Sequence, residues 1–227
     1  MLFRSQGNSR VFIRGEFNED LVLPITSTLT GLISESGVKN IQLIINSPGG
    51  TLSTLRFLIG QINGHRRESN ASFSTVGCGT VASAAAIALS FGDLGKRWLL
   101  DGSSLLFHDV RIMLSSETPI SASGAQHLLK SFTETNLKIL TALIDHIAPL
   151  FKLPDSTYRF PIRNVTESIF EEKVELVKAP DLEGFKATLL PIFQAVFEVD
   201  KPMTSNTAIA LGLIDKRSTI LPKQEGL

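Results

Sequence analysis

The stretch from Ser69 to Gly92 contains no Asp, Glu, Lys or Arg, and nothing else in the sequence limits the fold as tightly. Its length would suit a membrane span, but Ser, Gly and Thr recur through it and Asn70 opens it. A strand over residues 72–76 followed by a helix over 82–91, buried on all sides, explains it better. A helix with no polar face has to be enclosed, which calls for a sheet with helices layered against it.

The flanking sequence keeps the same rhythm. Short apolar runs predict strands at 10–14, 40–45, 97–100 and 104–107, and longer periodic patterns predict helices over 18–36 and 51–64, the alternation of an α/β protein. A further long helix is expected over 122–147. Leu129, Phe132, Leu137, Leu140, Ile144 and Ile147 recur there at helical spacing, and Pro149 ends the pattern. A chain of 227 residues, 43% hydrophobic, can bury one sizeable core, so the expectation is a single domain over 1–227 with an insertion at about 150–198. That insertion carries six of the fourteen phenylalanines and is broken by Pro154, Pro161, Pro180 and Pro191. Such aromatic density predicts an ordered element, packed on the long helix or against another subunit, rather than a linker.

Charge and cysteine content narrow the partners. Lys plus Arg and Asp plus Glu both number 22, so no basic field exists to hold nucleic acid or an anionic membrane. The single cysteine, Cys78, excludes an intrachain disulfide and a thiolate metal cluster, and reads as a small buried residue. The first residues have no apolar core of secretory-signal length. The expectation is a cytoplasmic protein without metal or organic cofactor.

Three segments carry chemistry. Ile44-Ile45-Asn46-Ser47-Pro48-Gly49-Gly50 is an apolar run ending in paired glycines, which can aim backbone N–H groups outward. Gly79-Thr80-Val81-Ala82-Ser83-Ala84 places a hydroxyl at a helix start, and Phe107-His108-Asp109 places an imidazole after an apolar strand. Ser83 is the candidate nucleophile and His108 the candidate base, since neutral imidazole can take a serine proton and return it to a leaving amine. Taken alone, Ser83 would more often be a helix cap, His108 a structural hydrogen bonder, and Pro48-Gly49-Gly50 an ordinary turn.

Order and wording of these segments resemble the proteolytic subunit of Clp-type ATP-dependent proteases. The similarity begins near Arg10-Val11-Phe12-Ile13-Arg14-Gly15 and returns at Met203 to Asp215, covering roughly residues 10–148 and 199–218. It implies a spiral of βαβ units shared with crotonase-like enzymes, with residues 122–147 as the handle helix between stacked rings. It also implies a serine endopeptidase acting on small or unfolded polypeptides inside a homo-oligomeric ring. Asp200, three residues before Met203, falls where the family keeps its triad aspartate, while Asp109 and Asp215 are nearby acids that could be mistaken for it. The resemblance further assigns the oxyanion hole to the backbone N–H groups of Gly50 and Ala84.

The chain departs from the family after the histidine, where Asp109-Val110-Arg111-Ile112-Met113-Leu114 replaces a Gln-Pro pair and a glycine-rich strand. Gln42 and Ile44 replace aromatic residues that help receive an ATP-driven unfoldase. Three other readings use the same residues. Gly77-Cys78-Gly79-Thr80-Val81-Ala82 fits a dinucleotide fingerprint with Asp101 about twenty residues on. A crotonase-like acyl-CoA enzyme would use the paired N–H groups alone, and a catalytically silent scaffold subunit would use none of them.

Overall fold

The computed structural model describes residues 2–5, 8–109, 111, 121–163, 174–198 and 201–223. It falls into two compact units, one of residues 1–107 with 201–227 and one of residues 108–200.

The first unit is an α/β layer structure. Its strands in chain order are β1 (Leu2–Ser5), β2 (Asn8–Arg14), β3 (Asn40–Ser47), β4 (Ser72–Ala82), β5 (Arg97–Leu100) and β6 (Ser104–Leu106). β2, β3, β4 and β5 are parallel neighbours in that order, β1 folds back antiparallel on β2, and Lys216–Ser218 adds a parallel strand beyond β5. β6 pairs with the far end of β4 and takes the short strand Pro202–Met203 antiparallel on its other edge. Parallel neighbours need crossovers, and these carry α1 (Glu19–Thr30), α2 (Leu52–Ser69) and α3 (Ala84–Ser90).

Local sequence explains the element ends. Asn18 caps α1 by accepting the Leu21 N–H at 3.0 Å, with Glu19 and Asp20 in the first turn. The helix expected over 18–36 is α-helical only to Thr30, then widens into a π-helical turn, Gly31–Glu35, closed by the Ser36 N–H on the Gly31 carbonyl. α2 runs past its expected end to Asn70, whose left-handed φ of 52° stops it. All seven residues of α3 are buried, as the uncharged stretch requires.

Both faces of β3 are covered. Ile41, Leu43 and Ile45 join the core, and on the other face Gln42 is buried between the Arg10 guanidinium, at 2.9 Å, and the Pro222 carbonyl, at 3.3 Å. Arg97 at the start of β5 is fully buried. It donates to both carboxylate oxygens of Asp215, at 2.8 and 2.7 Å, and to the Ser90 and Gly212 carbonyls. Every arm of the guanidinium thus meets an oxygen, and the C-terminal segment is fastened to the sheet.

The second unit holds α4 (Ala122–Ile147), capped by Ser121, and, among the described residues of the insertion, the antiparallel pair β7 (Tyr158–Arg163) and β8 (Val174–Ala179), then α5 (Leu182–Glu198). The insertion packs on the long helix, the first of the two expected roles. Leu140, Leu143, Ile144 and Ile147 of α4 are buried, as are Phe185, Leu189, Phe193, Val196 and Phe197 of α5, and Lys186 reaches Asp145 at 2.7 Å. Phe185 also stacks on Tyr158 at 4.9 Å between ring centroids, tying hairpin to helix. The N-terminal half of α4 is largely exposed, with Leu129 at 70%. Among the described residues no helix is long and apolar enough to cross a membrane.

Candidate active site

β4 continues to Ala82, well beyond the end expected at 76, and its extra length is irregular. Pairing with β3 steps from Ile45↔Gly77 to Ser47↔Val81, so β4 carries additional residues opposite Asn46. Gly79 takes a φ of 66° there, the Asn46 Oδ1 accepts the Thr80 N–H at 3.2 Å, and the Ser103 Oγ accepts the Gly79 N–H at 3.1 Å. A bulge of this kind bends the strand and re-aims the residues after it.

The first residue past the re-aimed strand is Ser83, at φ 56° and ψ −127°. A side chain held there costs about 1–3 kcal/mol, and the surrounding hydrogen bonds impose it. The Ser83 N–H donates to the Leu106 carbonyl at 2.9 Å, and the Ser83 carbonyl accepts the Ala86 N–H at 3.0 Å. Ser83 occupies the N-cap position of α3, yet its side chain makes no capping hydrogen bond. The ordinary structural role open to a serine here is not the one it plays.

The Pro48–Gly50 turn lies directly against this serine. A Cβ at Gly49 would stand 2.6 Å from the Ser83 Cβ and 3.0 Å from the Ala84 nitrogen, and one at Gly50 would collide with the Phe17 carbonyl oxygen. Only bare backbone fits at either position, and their φ values of 98° and 150° suit glycine as well. The buried Ser47 Oγ accepts the Gly49 N–H at 3.0 Å. Phe17 receives the turn on its other side, its N–H on the Gly49 carbonyl at 2.6 Å and its carbonyl on the Thr51 N–H at 2.8 Å. With the flanking groups committed to Phe17, the extended chain turns the Gly50 N–H the opposite way. The Ala84 N–H is a first-turn donor that no carbonyl within α3 can satisfy.

The second unit begins at His108, a half-buried residue whose Nδ1 lies 2.5 Å from the Asp109 backbone oxygen. A carbonyl can only accept, so Nδ1 is the donor in this contact and Nε2 faces away from it. The Asp109 carboxylate points elsewhere, accepting a hydrogen bond from Asn136 of α4. Burial holds that carboxyl above the usual carboxylate range; the Glu198 charge adds to the effect, and Asn136 and His108 oppose it.

Of the five residues singled out in the sequence, Gly50, Ser83 and Ala84 belong to the first unit, where Gly49 brings the turn that holds Gly50 against Ser83 and Ala84; His108 belongs to the second, and Asp200 lies outside the described residues, as do Val110 and Ile112 to Leu114. Asp215 is not available to orient an imidazole, because both of its oxygens bind Arg97. Residues 107–109 are not in a strand. Phe17, Asn46 and the Leu106 carbonyl were not foreseen as supports of the site. Asn46 alone had a sequence signal, being polar inside an apolar strand run.

Two sequence readings are corrected. The glycines of the dinucleotide fingerprint all lie within β4, not in a loop at a helix start, and Asp101 is engaged by Arg217 at 3.0 Å. Cys78 is only half-buried and lines a cavity of about 580 Å³ with Phe12, Ile13, Leu21, Ile44 and Asn46. Burial still pushes its thiol up, which keeps it protonated and weakly nucleophilic.

The sequence model of the Clp protease family matches residues 3–142, more than half of the chain and the whole of the Ser83 and His108 segments. The chain is 29% identical over 121 residues to an ATP-dependent Clp protease proteolytic subunit of Ligilactobacillus salivarius, covering 53% of this chain and 59% of that protein. It is 34% identical over 98 residues to ATP-dependent Clp protease proteolytic subunit 2 of Bacillus licheniformis, covering 43% and 50%. The chain thus spans between half and three-fifths of the length of these curated relatives. With an α/β parallel sheet carrying the matched segments, the chain belongs to the Clp protease family.

Proposed function

We propose that this protein is a serine endopeptidase, with Ser83 as nucleophile, His108 as general base, Asp200 as the acid that orients it, and the Gly50 and Ala84 N–H groups as the oxyanion hole. The observation that carries the reading is Ser83 itself. It is held at φ 56°, makes no cap to the helix it precedes, and sits against a turn of bare backbone. Backbone strain persists only where the surroundings enforce it, and it gathers at reactive groups.

In this reading the Ser83 Oγ attacks the scissile carbonyl carbon as His108 Nε2 takes its proton. The oxyanion receives the N–H groups of Gly50 and Ala84. Collapse of the tetrahedral species expels the amine, which leaves with the proton from Nε2, and a water then repeats the sequence on the acyl-serine. With Nδ1 facing the Asp109 carbonyl, Nε2 is the nitrogen open to the serine proton, and Asp200 would have to take that carbonyl's place to orient the ring.

The relatives are proteolytic subunits by name, which favours small or unfolded polypeptides as substrates and a homo-oligomeric ring as the working form. Neither metal nor organic cofactor is required. Docking of an ATP-driven unfoldase would have to use a surface in which Gln42 is buried by Arg10 and Pro222. Hydrolysis of short fluorogenic peptides tests the reading, with NAD and acyl-CoA thermal shifts beside it. Turnover lost in Ser83→Ala, with neither ligand stabilising the fold, is the expected result. Stabilisation by acyl-CoA without peptide turnover would transfer the site to acyl-CoA chemistry.

A further inference from the structure

Thr54, in the first turn of α2, is a buried hydroxyl that reaches 37 positions back along the chain. Its Oγ1 lies 3.0 Å from the Phe17 carbonyl, 2.9 Å from the Thr51 carbonyl and 2.9 Å from the Thr51 Oγ1. A hydroxyl has one proton and two lone pairs, so the exposed Thr51 hydroxyl can donate to it while its own proton faces the two carbonyls. The Thr51 carbonyl is already held by the Leu55 N–H within α2, at 3.2 Å. Phe17 has no such framework, since it lies between β2 and α1 and meets Gly50 as a single bridge. That bridge decides where the turn points. The Phe17 N–H holds the Gly49 carbonyl at 2.6 Å, and a trans peptide sets its N–H opposite its C=O, so this one bond turns the Gly50 N–H away from Phe17. Gly50 has no room for a Cβ against the Phe17 backbone, and a shift of Phe17 is therefore a shift of Gly50.

We propose that Thr54 is a positioning residue for the oxyanion hole: its hydroxyl clamps the Phe17 carbonyl, and Phe17 in turn anchors the Gly49 carbonyl and so aims the Gly50 N–H. This rests on the reading of the Gly50 N–H as an oxyanion donor. Thr54 itself touches no substrate. The Thr51 N–H already occupies one side of the Phe17 carbonyl, at 2.8 Å, and the Thr54 hydroxyl supplies the second donor that a buried carbonyl can accept. An oxyanion donor acts on charge that develops only in the transition state, so an error in its aim lowers kcat and leaves KM alone. A hydroxyl that merely secured the start of α2 would change stability and leave the kcat of the folded protein where it was.

The test separates aim from stability. Thr54→Val and Thr54→Ala both remove the hydroxyl, the first with the shape nearly kept, and Thr54→Ser retains it. On short fluorogenic peptides the valine and alanine variants should lose about tenfold in kcat at unchanged KM, a fraction of what the loss of a whole oxyanion donor costs. Thr54→Ser should stay close to wild type. A second readout needs no turnover: native-state hydrogen exchange at the Thr51 amide, which shares the Phe17 carbonyl with Thr54, should quicken in Thr54→Val and stay slow in Thr54→Ser. Unchanged kcat in the folded valine and alanine variants, a loss carried by KM, or a serine variant as slow as the valine one would overturn the proposal. Unchanged Thr51 exchange in Thr54→Val would overturn it as well. A wild-type protein that neither cleaves peptides nor takes a fluorophosphonate at Ser83 would instead count against the peptidase reading, and quickened exchange in Thr54→Val would then leave the clamp on Phe17 standing without its catalytic role.

Discussion

The serine side and the histidine side of the candidate site are held by different means. Around Ser83 the restraint is backbone: a bulge at Gly79, two glycines with no room for a Cβ, and a web joining Phe17, Gly49, Thr51 and Leu106. Around His108 the restraint is one carbonyl and one carboxylate of Asp109, with Asn136 behind them. Backbone geometry is stiff and fails abruptly when a side chain intrudes, whereas a hydrogen-bond relay shifts by degrees. Ser83 is therefore held for permanence, and His108 for adjustment.

This contrast can be attacked first from the serine side. Asp215→Ala leaves Arg97 charged, buried and without its carboxylate, so a loss of about 3–5 kcal/mol is expected in denaturant unfolding. Gly50→Ala should follow at about 3 kcal/mol, since the new methyl meets the Phe17 carbonyl and the residue has a φ of 150°; Ser83 should lose its reactivity even in the folded fraction. Ser83→Gly should move the other way. Release of the strained φ makes it more stable than Ser83→Ala by about 1 kcal/mol in the same titration, while neither variant reacts. If the glycine and alanine variants of Ser83 unfold alike, the strain assigned to the serine is not there.

The histidine side should respond by smaller amounts. Asp109 has its carboxyl raised by burial, so its ionisation opposes folding: the associated stability is present at pH below the ordinary carboxylate range and is lost as pH rises through the raised value. Asp109→Asn, which keeps an acceptor for Asn136, should therefore raise the melting temperature slightly at neutral pH and leave it unchanged in acid. A melting temperature that falls at both pH values would mean that the carboxylate charge stabilises this unit.

Much of this was legible in the sequence because the underlying physics is local. The uncharged run over 69–92 gave away β4 and the buried α3, the periodicity of Leu140, Ile144 and Ile147 located the core-facing half of α4, and the glycine pair marked a turn with no space beside it. The features that stayed hidden depend on distant partners. The extension of β4 through Ala82 follows from pairing with β6, which strand propensity does not report. The engagement of Asp215 by Arg97 joins residues 118 positions apart. The contact between Asp109 and Asn136 of α4 joins residues 27 positions apart.

Whether Ser83 is an activated nucleophile with His108 as its base is decided by treating folded protein with a fluorophosphonate probe and locating the adduct by peptide mass. A single adduct on Ser83 that disappears in Ser83→Ala and in His108→Ala is the expected result. An unlabelled Ser83 in folded, assembled protein, or labelling that persists undiminished in His108→Ala, would contradict it.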